Sequence, residues 1–203
     1  MRKHSLETIT ERRRERLEGV LRRRQTGLTI VLENVWDPHN VSAILRSADA
    51  TGVHRVHLLY TIETPPDLVK HGKLSSASAR KWLEFTVHDS VESCFAALRA
   101  EGFRIYASHL TREAISLHAI DFREPTALIV GNEHRGVSDE ACAQSDGIYY
   151  IPMMGMVESL NVSVASAVSL YEGMRQRVAA GLYDAPQLDA AAFDAALRDW
   201  AQR

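Results

Sequence analysis

Short apolar runs rich in β-branched residues recur along this chain, most of them followed by a stretch with helical spacing. That alternation limits the fold more than any other property. Residues 28–32, 53–60, 82–87, 103–108, 127–130 and 148–151 have the length and composition of strands. Residues 41–51, 91–100 and a long stretch from 160 to 180 read as helices between or after them. Asn40 suits the N-cap of the first of these helices, and Gly52 suits its close. Strands and helices alternating in this way predict an α/β fold with a mainly parallel sheet and helices on both faces. The reading divides the chain into a basic helical extension (1–26), an α/β domain (27–181) and a C-terminal helical extension (182–203).

Charge is distributed unevenly. The net charge is −2, yet residues 1–24 carry nine basic and four acidic side chains (+5), leaving 15 basic against 22 acidic (−7) in the rest. Residues 10–25 read as a helix with a narrow apolar stripe of Leu17, Val20 and Leu21 and two arginine triplets, 12–14 and 22–24. Glu11 and Glu15 can compensate part of that charge locally. The remainder points to a polyanionic partner, with the arginines as phosphate contacts. No stretch reaches the roughly 18 apolar residues of a membrane span. Cys94 and Cys142 show no metal-ligand spacing, and a reducing, cytoplasmic location is expected. His54 and His57 fall on opposite faces of one predicted strand, and the nine histidines show no ligand grouping, so no metal is expected.

Three polar turns, 33–46, 131–136 and 152–161, each follow a strand directly. In open α/β sheets, ligands bind beyond the carboxyl ends of the strands, where such turns converge. The common nucleotide and hydrolase signatures are missing: there is no G-x-G-x-x-G, no P-loop Lys-Ser/Thr after Gly136 and no G-x-S-x-G. The stretch 151–161, Ile-Pro-Met-Met-Gly-Met-Val-Glu-Ser-Leu-Asn, is apolar, but Pro152 and Gly155 fit neither a helix interior nor a central strand. Such a loop either lines the core as a plain crossover or folds around a flat, partly apolar ligand that meets its backbone amides. A nucleoside-containing cofactor fits the second description.

The residues at these turns resemble a known family. Asn34-Val35-x-x-Pro38-His39-Asn40-x-Ser42-Ala43-Ile44-x-Arg46, Gly131-x-Glu133-x-x-Gly136 and Ile151-Pro152-Met153-x-Gly155-x-x-x-Ser159-Leu160-Asn161 are similar, in order and spacing, to the three motifs of the SpoU/TrmH family of SPOUT RNA methyltransferases. The resemblance covers residues 28–180. It continues into the Arg-rich N-terminus and the Gly181-Leu182-Tyr183-Asp184 tail, as in the branch that methylates guanosine 18 of tRNA. It departs from the family at Trp36-Asp37, where a basic residue is common; an acid there disfavours a phosphate contact.

The resemblance implies a C-terminal trefoil knot of the SPOUT type, a homodimer and S-adenosylmethionine as cofactor. Ser108, Gly131, Ile151, Met153 and Leu160 are the implied cofactor contacts, mostly through backbone groups. The implied reaction is 2′-O-methylation of a ribose in tRNA, most specifically guanosine 18 of the D-loop; ribosomal RNA or another tRNA position is the alternative. Arg46 would contact the 2′-oxygen, Asn40 would orient Arg46, and Glu133, Ser159 and Asn161 would complete a polar wall. Arg13, Arg16, Arg23, Arg24, Arg175 and Arg177 would bind RNA. The small residues Ser163, Ala165, Ser166, Ala167 and Ser169 would let two helices approach across the dimer.

Overall fold

A computed structural model describes residues 8–65 and 79–203. Seven strands form one sheet, β1 (Leu28–Glu33), β2 (Arg55–Leu59), β3 (Glu84–His88), β4 (Arg104–Ser108), β5 (Ile115–Ser116), β6 (Thr126–Val130) and β7 (Gly147–Tyr150). Their order is β3-β2-β1-β6-β4-β7-β5, and every recorded pairing is parallel. Residues alternate between two cores as the pleat requires. Ile30, Leu32, Leu128 and Val130 pack under α2 (Pro38–Ala50) and α5 (Val162–Ala179). Val31, Ala127 and Ile129 pack under α3 (Val91–Ala100) and α4 (Asp139–Gln144) on the other face. The central strands β1 and β6 are buried along their whole length, so they read in the sequence as continuous apolar runs.

Several local expectations need correction. The N-cap of α2 is Asp37, whose side chain accepts from the His39 amide at 2.8 Å, and Pro38 occupies the first turn. Proline at that position loses no hydrogen bond and has the right φ, so the helix starts earlier than Asn40. Asn40 therefore sits inside the first turn with its amide free for other work. Strand β5, only two residues long, is too short to leave a periodic signal. Pro65-Pro66 and the small-residue run 75–79 predict a long irregular connection over 61–81, most of which lies outside the described residues. Two of the small residues of α5 expected at a helix–helix approach between copies serve the protomer instead: Ser166 and Ser169 are fully buried, and Ser169 accepts a hydrogen bond from the Tyr149 hydroxyl at 3.2 Å, whereas Ser163, Ala165 and Ala167 are half-buried. The outward stripe of α5 is Val164, Val168 and Tyr171.

The N-terminal helix α1 (Glu11–Leu21) and the C-terminal helix α6 (Ala190–Ala201) pack on each other through Leu17, Leu21, Leu197 and Trp200. Trp82 meets Trp200 edge to face at 5.1 Å, and the guanidinium of Arg24 lies 5.1 Å from the Trp200 ring.

Histidines that look unrelated in sequence meet across the sheet. His57 Nδ1 and His88 Nε2, on neighbouring strands, are 2.9 Å apart, and Cys94 on α3 brings its thiol to the same place, all ligand-type atoms within 4.8 Å. Burial, reinforced by His88 and Arg55, lowers the His57 pKa from 6.5 to about 4, and burial, reinforced by the Glu33 carboxylate, raises that of the Cys94 thiol to about 12. An imidazole whose folded pKa lies below its unfolded value favours the native state above about pH 6.5. That contribution is lost as the pH falls towards 4. The loss is about 3 kcal/mol over this window. Urea unfolding at pH 7 and pH 4 is expected to show it in the native chain and a flatter difference in His57→Gln.

Candidate active site

The three polar turns converge at the carboxyl ends of β1, β6 and β7, held by a continuous set of hydrogen bonds. Asn34 adopts φ 50°, a left-handed conformation that asparagine tolerates better than most residues. Its Oδ1 accepts from the amides of Thr61, Ile62 and Glu63 at 3.0, 3.0 and 3.1 Å. Its carbonyl accepts from Asn132 Nδ2 at 2.9 Å, joining the first turn to the second. Gly131 and Gly136 close that second turn so tightly that a Cβ on Gly131 would lie 2.1 Å from the Gly136 carbonyl. The Glu133 carboxylate then spans the gap: it accepts from the amides of Trp36 and Asp37 (3.1 Å each) and from Asn40 Nδ2 (2.8 Å). Burial alone would raise its pKa, but the Asn40 and backbone hydrogen bonds outweigh this and keep it below the usual carboxylate value. Asn161 brings in the third turn, donating from Nδ2 to Asn40 Oδ1 at 3.1 Å while its own Oδ1 caps α5 on the Ser163 amide at 2.8 Å.

Sequence reasoning brought Asn40, Glu133 and Asn161 to one place, and here they touch. It assigned Asn40 a contact with Arg46 that is absent: both ends of the Asn40 amide are engaged by Glu133 and Asn161. Arg46 stands exposed on α2, with no ion pair or hydrogen bond to another described residue. Asn132 was not singled out; an asparagine between a strand-ending glycine and an acid is the signal that marks it.

Beside this network lies a crevice whose walls include Ser108, Ile151, Met153, Ser159 and Leu160, together with His109. Gly131 is not among its walls; the close approach of Gly136 accounts for that glycine. The crevice encloses ≈ 170 Å³, below the roughly 300 Å³ at the small end of ligand pockets, so it takes part of a cofactor rather than all of one. Two observations fit it to a ligand with polar edges. Residues 152–160 make no hydrogen bond to other described residues, leaving a run of backbone amides unpaired. His109, one of the walls, has its Nδ1 shut from water with no partner. The rim is apolar and exposed, with Met154 at 96% and Met156 at 99%.

A larger cavity, ≈ 650 Å³, shares no residue with the crevice and lies between α1, Trp82 and Trp200. Arg12, Arg13 and Arg16 line it, all exposed. Two of the arginines expected to bind RNA are elsewhere. Arg24 is 0% exposed, donating to Asp49 Oδ1 at 2.5 Å and to the carbonyls of Val53 and Trp82 at 2.7 and 2.9 Å. Arg177 is 3% exposed and donates to Gln25 Oε1 and to the Gly27 and Phe122 carbonyls at 2.8, 3.0 and 2.9 Å. Neither guanidinium can reach a phosphate; both are internal braces. Arg175 is exposed but paired with Glu172 at 2.8 Å, whereas Arg13, Arg16 and Arg23 have no ion pair with another described residue.

A profile of the SpoU rRNA Methylase family matches residues 27–171, the sheet and all three turns. The chain belongs to the SpoU methylase family. A tRNA (guanosine(18)-2'-O)-methyltransferase from Thermus thermophilus is 47% identical over 194 residues, 96% of this chain and 98% of that one. Among solved structures, the TrmH/SpoU tRNA modifying enzyme of A. aeolicus superposes with a TM-score of 0.84 at 35% identity, covering 94% of this chain and 95% of the other. An AdoMet-bound rRNA methyltransferase from Sinorhizobium meliloti superposes with a TM-score of 0.67 at 25% identity, over 78% of this chain and 59% of its own. The family's match begins at residue 27 and ends within α5, so α1 and α6 lie outside it.

Proposed function

We propose that the chain transfers a methyl group from S-adenosylmethionine to the 2′-hydroxyl of a ribose in tRNA, at guanosine 18 of the D-loop. The carrying observation is the Glu133–Asn40–Asn161 network, which ties the three motif turns into one wall beside an amide-rich crevice, with Arg46 exposed and unengaged nearly two turns farther along α2. When bound, the cofactor supplies an electrophilic methyl group on a sulfonium. The protein's part is to position the ribose and to stabilise the oxygen as it gives up its proton. Guanidinium is permanently protonated, so Arg46 acts by stabilising developing alkoxide charge, with the proton passing to water or phosphate. Ser108, Ile151, Met153 and Leu160 hold the cofactor, and Ser159 and Asn161 form the edge of the crevice next to the ribose.

The near full-length likeness to a relative of that name supports tRNA as the substrate. The reading carries with it the knotted threading of the segment after β6, a cytoplasmic location and a homodimer. For the dimer, the Val164, Val168 and Tyr171 stripe on α5 is an exposed apolar face, as are Met154, Met156 and Val157 in the preceding loop. In the same reading α1 and α6 form an accessory RNA-binding unit, with Arg13, Arg16 and Arg23 as phosphate contacts.

A tRNA transcript carrying 2′-deoxyguanosine at position 18 is expected to accept no methyl group while binding normally; label incorporated elsewhere in it would refute the assignment. tRNA binding should weaken steeply with salt, and each of Arg13→Ala, Arg16→Ala and Arg23→Ala should reduce the slope of log K against log salt by about 1. Unchanged slopes in all three would remove α1 from the RNA interface.

A further inference from the structure

Trp36 presents its side chain to water at the edge of the site, 64% exposed. Burying an indole removes a large apolar surface from water, so an exposed one on a mobile tip would be expected to fold back. This turn cannot fold back. The Val35 carbonyl accepts from the Tyr60 hydroxyl at 2.8 Å, and the amides of Trp36 and Asp37 are both bound to the Glu133 carboxylate. The next residue, Pro38, has a fixed φ and opens α2. Val35 itself is fully buried, so the backbone is anchored on both sides of an indole that points outward.

We infer that Trp36 is a stacking platform for a nucleobase of the RNA substrate, a positioning residue that fixes the target nucleotide before its ribose meets Arg46 and Asn40. This rests on the proposed RNA methyl transfer. Three observations select a base as the occupant. The same Glu133 carboxylate that holds the Trp36 amide holds Asn40, so the indole is rigidly registered to the polar wall. The acids beside it already accept hydrogen bonds, Glu133 from three donors and Asp37 from the His39 amide, while the Arg46 guanidinium farther along the same helix is exposed and unengaged and is available to an adjoining phosphate. An indole offers a flat π surface that any base can stack on, and the resulting contact is sequence-tolerant.

Stacking of one base is worth about 1–3 kcal/mol, so Trp36→Ala is expected to raise KM for tRNA about tenfold. Its kcat should stay within about threefold and its affinity for S-adenosylhomocysteine should be unchanged. Trp36→Phe, which keeps the platform, should recover most of the loss; a purely structural role would not be rescued in KM alone. Independently of turnover, tRNA should protect native fluorescence from quenching by acrylamide, and the protected component should vanish in Trp36→Phe, leaving only the more buried Trp82 and Trp200. Unchanged KM in Trp36→Ala, or no protection on saturation with tRNA, overturns the inference. Weakened self-association of Trp36→Ala would instead assign the indole to an interface between copies and also overturns it. Protection by tRNA without any methylation of it would leave the platform standing and refute the proposed reaction, whereas methylation without protection refutes the platform alone.

Discussion

Arg46→Lys is expected to lose on the order of 10²- to 10³-fold in turnover while binding S-adenosylhomocysteine like the native protein. Arg46 is exposed on α2 and makes no ion pair or hydrogen bond with another described residue, so the change removes no internal brace and the fold should be unaffected. What changes is the shape of the charge. A guanidinium presents a planar fork that can hold the ribose oxygen and a neighbouring phosphate together, whereas an ammonium is a compact point charge. A lysine that retained turnover would show that the positive charge suffices without geometry. An Arg46→Ala protein that retained it would remove Arg46 from the reaction. Measuring cofactor affinity and thermal unfolding beside turnover separates these outcomes from misfolding.

Arg177→Ala is expected to have the reverse signature, a large loss of stability with little change in the salt dependence of RNA binding. The Arg177 side chain is buried, and burial lowers its pKa; it serves Gln25, Gly27 and Phe122 through one Nε and one Nη. Gly27 is part of the arrangement, since a Cβ there would lie 2.8 Å from Arg177 Nη2. Truncation leaves the buried Phe122 carbonyl without its donor, takes one of two donors from the Gly27 carbonyl and from Gln25 Oε1, which keep the Thr126 amide and Gln187 Nε2, and opens a cavity, together about 3–5 kcal/mol. For a chain of this size that corresponds to a fall in Tm of roughly 6–20 °C, readable by circular dichroism. Arg23→Ala, by contrast, should leave Tm within about a degree and reduce the salt slope. If Arg177→Ala kept its Tm and flattened the salt dependence, the brace described here would be wrong.

These two arginines also show where sequence reading reaches its limit. Residues 22–24 are three identical letters, yet the α1 C-terminus turns Arg22 and Arg23 outward and Arg24 into a cage of Asp49, Val53 and Trp82. Charge density is a property of composition, but burial is a property of the turn that follows the helix, which composition does not encode. The sheet was legible because its signal is local: apolar runs such as 28–32 and 127–130 declare buried parallel strands without knowledge of their neighbours. The His57–His88 pair and β5 were not, since one depends on strand adjacency and the other on two residues beside β7. At the site, residue types alone marked 151–161 as a loop in need of a partner, and the unpaired amides of 152–160 agree with that reading. The identity of the partner came from motif resemblance. The connection that makes the site a unit, Glu133 to Asn40 to Asn161, joins residues from three distant turns and became visible only when the sheet had brought them together.

The central claim is most directly tested by incubating the protein with methyl-labelled S-adenosylmethionine and total RNA that lacks ribose methylation, then locating the label by nuclease digestion and mass analysis. The account predicts 2′-O-methylguanosine at position 18 of tRNA, lost with Arg46→Ala. Label absent from tRNA and present in ribosomal RNA, or in tRNA at a ribose other than 18, would contradict it.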